Sequence, residues 1–93
     1  MAIEFFIPSM LTEFSDGASR VRIEASPATV GEALDLLWHR HPGIRDRVVT
    51  ERGEVRPHVN VFVTDENIRC TGGLGTPIPS GAAISIIPAV SGG

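Results

Sequence analysis

The chain has 93 residues, a net charge of −3, 42% hydrophobic and 20% charged residues, the size and balance of one globular domain with a modest core. No apolar run reaches the ~18–20 residues of a membrane-spanning helix, and the N-terminus lacks the basic and apolar regions of a signal peptide, so no membrane partner is expected and the cytoplasm is the default location. The eight basic residues are spread along an acidic chain, which argues against a nucleic-acid partner; Cys70 is the single cysteine, which excludes an internal disulfide and a paired-cysteine metal or redox motif.

Ile3, Phe5 and Ile7 alternate with Glu4, Phe6 and Pro8, the period of a first strand. Ser9 to Phe14 carries Leu11 and Phe14, which fold back over one end of the core. Asp16-Gly17 signals a turn. Val21, Ile23 and Ala25 then alternate with Arg20, Arg22 and Glu24 as a half-buried second strand, hairpin-paired with the first.

The spacing predicts one main helix from Thr29. Thr29 as N-cap with Glu32 three residues on makes a capping box. Val30, Ala33, Leu34, Leu37 and Trp38 form one apolar stripe, which places Trp38 in the core. Gly31 is a poor helix former but lies in the first turn. Pro42-Gly43 ends the helix. Residues 44–53 read as irregular chain or a short helical turn, with Ile44, Val48 and Val49 packing inward. The charged 51–56 stretch reads as an exposed loop. Val59, Val61 and Val63 mark a third strand, Asp65-Glu66-Asn67 a turn, and Ile68-Arg69-Cys70 a short strand. Gly72-Gly73 and the proline-bounded 76–81 segment form a loop before the last strand.

Ile84 and Ile86 alternate with Ala83, Ser85 and Ile87 in that final strand. Pro88 has no N–H and a fixed φ, so it ends ladder pairing and starts an extended, flexible tail. The chain then finishes Ala89-Val90-Ser91-Gly92-Gly93, a tail that can extend roughly 17 Å. Gly92 and Gly93 lack a β-carbon and fit a slot too narrow for other residues. The expected division is a domain over 1–87 and a tail over 88–93.

One amphipathic helix and one mixed sheet bury each other's apolar faces in two layers. The expected class is α+β: a ubiquitin-like β-grasp, with a mixed four- to five-stranded sheet packed on one main helix and the first and last strands parallel at its centre. If Ile3, Phe5, Val61, Ile84 and Ile86 face the helix, period 2 turns Phe6, Phe62 and Ile87 to the other face. Three large apolar residues there would make a protein-binding patch beside the root of the tail.

Other candidates carry less chemistry. His39 and His41 diverge at the helix end, unlike the i, i+4 pair of a metal site, and complement the helix dipole. With His58 they give no metal set. Cys70 reads as a small buried hydrophobe, with Arg69 its only neighbouring thiolate activator. No nucleophile triad or Walker loop occurs, so the chain is not expected to be an enzyme in its own right. All eight basic residues are arginine. Codon bias explains this; so does a need to have no lysine amine beside an activated acyl group.

The stretch Asn67-Ile68-Arg69-Cys70-Thr71-Gly72-Gly73-Leu74-Gly75-Thr76-Pro77-Ile78, followed by the Ile84–Gly93 ending, resembles the MoaD/ThiS family of ubiquitin-like sulfur carriers. The resemblance is nearest to the CysO type, with its Arg-hydrophobe-x-Gly-Gly-Leu-x-Thr pattern and Pro-Ala-Val-Ala-Gly-Gly ending. Ser91 stands where that ending has alanine, and Cys70 where an aromatic is usual, consistent with a buried Cys70. The resemblance implies a carrier with no bound cofactor. A ubiquitin-activating-type adenylyltransferase/sulfurtransferase would use ATP to adenylate the Gly93 carboxylate, and a sulfur donor would convert it to a thiocarboxylate. Gly92, Ser91 and Val90 would form the tether, and Phe6 and Ile87 would contact the activating enzyme. In the CysO type the sulfur goes to a pyridoxal-phosphate-dependent cysteine synthase, and a metalloprotease releases cysteine. Molybdopterin, thiazole or another thiolated metabolite is the alternative destination. A ubiquitin-like protein modifier and a scaffold domain with an incidental tail are the other readings.

Overall fold

Alternating β-branched and aromatic residues make the strands, and Phe5 sits where three of them meet. In the computed structural model, which describes residues 2–88, β1 (Ile3–Phe6) pairs antiparallel with β2 (Arg20–Ile23), Phe5 opposite Val21. On its other side β1 pairs in parallel with β5 (Ala83–Pro88), Phe5 opposite Ile84. β5 then runs antiparallel to β3 (Val59–Val63), which carries the two-residue β4 (Glu66–Asn67) at the edge. The order β2-β1-β5-β3-β4, with the first and last strands parallel at the centre, is the ubiquitin-like β-grasp. All five strands belong to one sheet.

α1 (Val30–Arg40) covers one face of that sheet with Val30, Ala33, Leu34 and Leu37, all buried. Each of the three larger side chains contributes roughly 1.5–3 kcal/mol of burial. They meet Phe5, Val61, Ile84 and Ile86 from the strands in a single core. Trp38 only packs against its border, half-buried, because it lies at the rim of the stripe.

The start of α1 departs from a simple capping box. The Glu32 N–H donates to Thr29 Oγ1 at 3.3 Å, as expected. Glu32 Oε1 accepts instead from the Ala28 N–H at 3.2 Å. Thr29 itself bridges to Pro77, and the Val30 N–H donates to the Thr76 carbonyl at 3.0 Å. The loop before β5 therefore satisfies helix-start donors that would otherwise face water. Gly31 has a reason beyond its position in the first turn: a Cβ there would lie 3.3 Å from the Leu74 carbonyl oxygen. Gly72 and Gly73 both hold positive φ, +115 and +64, which lets the chain turn sharply under Thr76.

Four expectations are corrected. Pro42-Gly43 does not merely end α1; it opens α2 (Pro42–Val48), with Pro42 in the first turn, where no N–H is needed. Ile44 and Val48 are buried from that helix, and Val49 just after it. The short strand falls on Glu66–Asn67, not on residues 68–70, which form a 3-10 turn, Ile68–Cys70. Asn67 Oδ1 accepts the Arg69 N–H at 3.0 Å, and this cap starts the turn. In that turn Ile68 points inward while Cys70 is exposed rather than buried, since at three residues per turn side chains two positions apart point about 120° from each other.

The fourth correction concerns Pro88, which belongs to β5 and pairs with Val59. The Thr64 N–H donates to the Ala83 carbonyl at 2.8 Å. Alternation then turns Ser85 and Ile87 toward β3, and the proline nitrogen toward β1. β1 has already ended at Phe6, so the missing N–H costs no ladder bond. Of the expected tail, 89–93 lies outside the described residues.

Candidate functional site

The site is built around the far end of β5. Ile84 and Ile86 point into the core, and Ile87 faces out, 48% exposed. On the outer face the register lines up Phe6, Ser85 and Phe62 across β1, β5 and β3. Strands lie about 4.8 Å apart, so the two phenylalanines flank Ser85 with about 10 Å between their backbones. Ile87 stands one pleat further along β5, opposite Asn60. The face is therefore apolar at Phe6, Phe62 and Ile87, with a small serine at its centre.

The three residues are not equally open. Phe6 is 38% exposed, and its ring lies under the Arg20 guanidinium, 5.1 Å from centroid to Cζ. Arg20 sits opposite Phe6 on β2 and also reaches Glu4 at 3.5 Å. Phe62 is half-buried rather than open, flanked by Ser85 and by Asn67 of the short edge strand. The parity argument thus places all three residues on the outer face, and the accessible part of the patch is Phe6 with Ile87.

A polar rim closes the patch at the β3 edge. Asn60 Oδ1 accepts from Asn67 Nδ2 at 3.1 Å and lies 3.5 Å from Arg69 Nε. Among the described residues no buried side-chain nitrogen or oxygen lacks a hydrogen-bond partner.

The other side of the β5 end carries a groove that the sequence reading missed. Met10, 64% exposed, joins Leu11, Phe14, Arg47, His58 and Pro88 around an open volume of about 270 Å³. The Arg47 guanidinium lies 4.9 Å over the Phe14 ring. Met10 sits in the 3-10 turn Ser9–Phe14, whose short length shows no amphipathic period in the sequence. Pro88, the last described residue, therefore stands between two partly apolar surfaces.

The remaining sequence candidates lie apart from these surfaces. His39 is in the last turn of α1, and His41 joins α1 to α2. Val90, Ser91, Gly92 and Gly93 lie outside the described residues. Nothing in the geometry gives the described residues a nucleophile–base pair; the region instead offers a partly apolar, exposed face beside Pro88, the last described residue.

Comparison with known proteins adds to this geometry. The ThiS family model matches residues 7–93. The sulfur carrier protein CysO of Mycobacterium tuberculosis is 35% identical over 95 aligned positions, covering 100% of both chains. Among solved structures, a chain in the Amycolatopsis orientalis BexX/CysO complex superposes with a TM-score of 0.85 and 37% identity over 98% of this chain and 99% of the other. SAMP1 of Haloferax volcanii superposes with a TM-score of 0.81 and 34% identity over 100% of both chains.

Proposed function

The chain belongs to the ThiS family, and from that premise we propose that it is a sulfur carrier whose reactive group is the Gly93 carboxylate. The observation that carries this reading is the position of Ile87. It is an exposed apolar residue on the outer sheet face, next to the Pro88 that leads to a Gly-Gly terminus. A body docked through Phe6 and Ile87 delivers the terminal carboxylate to an active site that the body need not enter. Gly92 and Gly93 have no side chain to block a narrow entry.

The chemistry follows from a carboxylate alone. Ionised at neutral pH, the Gly93 carboxylate oxygen attacks the α-phosphorus of ATP and pyrophosphate leaves, giving an acyl-adenylate. A donor at the sulfide oxidation level then attacks the acyl carbon and AMP leaves, giving the thiocarboxylate. The enzyme supplying both steps is a ubiquitin-activating-type adenylyltransferase/sulfurtransferase, and ATP is its substrate rather than a cofactor of this chain. The similarity to CysO proteins supports cysteine biosynthesis as the destination, through a pyridoxal-phosphate-dependent cysteine synthase and a metalloprotease.

Intact mass tests the reading. Co-expression with a competent activating enzyme is expected to raise the mass by about 16 Da as oxygen becomes sulfur, and deleting Gly93 is expected to abolish the gain. A wild-type mass that stays unchanged, beside a control carrier that is converted by the same enzyme, overturns it.

A second reading, a protein modifier joined to lysines, is favoured by the similarity to SAMP1. With no lysine in its own sequence, this chain could not build lysine-linked chains on itself. Target lysines joined to the C-terminal glycine of this chain would establish that role.

A further inference from the structure

Arg69 opens the Arg-hydrophobe-x-Gly-Gly-Leu-x-Thr stretch, and the function proposed above leaves it unused. The rest of that stretch holds the loop against α1: Thr76 Oγ1 donates to the Gly73 carbonyl at 2.7 Å and the Thr76 carbonyl accepts the Val30 N–H. Arg69 points elsewhere. Its Nη2 donates to the Val59 carbonyl at 2.6 Å, the Arg56 carbonyl at 2.8 Å and the Pro57 carbonyl at 3.4 Å. Nε reaches Asn60 Oδ1 at 3.5 Å. Among the described residues it makes no ion pair with a carboxylate.

The reason for that arrangement lies in the short edge strand. β4 pairs only with Phe62 and Val63. The alternation fixed by the Thr64–Ala83 bond turns the Val59 peptide groups away from β5, toward the edge that β4 leaves uncovered. The guanidinium supplies donors there in place of a missing strand. Val59 and Asn60 are the β3 residues opposite Pro88 and Ile87. Arg69 thus grips from the free edge the two residues that hold the root of the tail from the other side.

We propose that Arg69 is a positioning residue for delivery of the C-terminal carboxylate. By clamping the β3 edge at Val59 and Asn60 it keeps Ile87 and Pro88 paired, and so sets the direction in which the chain leaves the body. The proposal rests on the carrier reading. Without the clamp the end of the β3–β5 ladder frays, as strand ends with few partners do. Each additional unpaired residue must then be ordered whenever the terminus enters an active site, a loss of roughly fivefold or more per residue. The docking contact of Phe6 stays where it is, whereas Ile87 is loosened with the end of the ladder, so the loss falls on turnover and in part on binding.

Arg69→Gln and Arg69→Lys in the full chain test this at 20 °C. With the activating enzyme and ATP, kcat for thiocarboxylate formation is expected to fall about tenfold or more in both, with KM rising by no more than the roughly 5–30-fold that the Ile87 contact carries. The lysine ammonium keeps the charge but cannot reproduce the planar fork. Independently of any enzyme, the Ile87 amide is expected to exchange hydrogen at least about fivefold faster while the Ile84 amide is unchanged.

Unchanged Ile87 exchange overturns the clamp. A kcat within about twofold of wild type, or full activity in Arg69→Lys alone, overturns the positioning role, the latter by assigning the effect to charge. Loss of the whole fold in either variant overturns it too, since the clamp acts on one strand end. A wild-type chain that never gains sulfur removes the carrier reading and this role with it, while the exchange rates still report whether the clamp exists.

Discussion

Ile86 and Ile87 are neighbours on opposite faces of β5, so truncating each one separates stability from partner recognition. Ile86 is 2% exposed and lies beside Leu11 and Val59, whereas Ile87 is 48% exposed. Ile86→Ala removes buried carbons and leaves a cavity, a cost of about 2–5 kcal/mol. A domain of this size loses about 4–8 °C of Tm per kcal/mol, so Tm is expected to fall by roughly 8–40 °C. Ile87→Ala removes the same atoms from a half-open site. Three carbons at about 0.8 kcal/mol each, halved for exposure, give about 1 kcal/mol and a Tm loss of about 4–8 °C. The functional order is reversed. An exposed apolar anchor within a docking patch carries about 1–2 kcal/mol of binding, which is a rise of roughly 5–30-fold in KM for the activating enzyme. Ile86→Ala is expected to leave KM within about twofold at 20 °C, where the variant remains folded. Thermal melts and ATP-dependent activation kinetics on the two variants are the assay. Equal Tm losses refute the opposite-face assignment, and an unchanged KM in Ile87→Ala refutes the docking role of the outer face.

Two further outcomes follow from the fold. Gly31→Val is expected to destabilise by about 1–3 kcal/mol in chemical denaturation, because its branched carbons enter the space 3.3 Å from the Leu74 carbonyl oxygen; a neutral effect would show that α1 can move off this loop. Cys70, being exposed, is expected to react with a thiol-specific alkylating reagent in the native chain as fast as after denaturation, and Cys70→Ser to change stability by no more than about 0.5 kcal/mol. Protection of the thiol until the chain unfolds would restore the buried assignment.

The elements that sequence reasoning identified share one property: a local period. β1, β2, β3, β5 and α1 each carry apolar residues at the spacing of their own secondary structure. The inward set Phe5, Val61, Ile84 and Ile86 and the outward set Phe6, Phe62 and Ile87 follow from that spacing. The misplaced elements are those too short to display a period. β4 has two residues and the turn after it three, so hydrogen bonding by Asn67 decided where strand gave way to turn. Cys70 was misread for the same reason.

The sequence by itself therefore determined the fold class and the two faces of the sheet. Those depend on residue type, alternation and chain order. Tertiary structure decided what each face meets: Phe62 half-covered while Ile87 stays open, Met10 exposed beside Pro88, Gly31 against Leu74, and Arg69 gripping Val59 opposite the root of the tail. These are contacts between residues distant in the chain. They arise from how a five-stranded sheet ends its ladders unevenly, leaving backbone carbonyls at an edge that a side chain must satisfy, and no local pattern encodes which side chain that is.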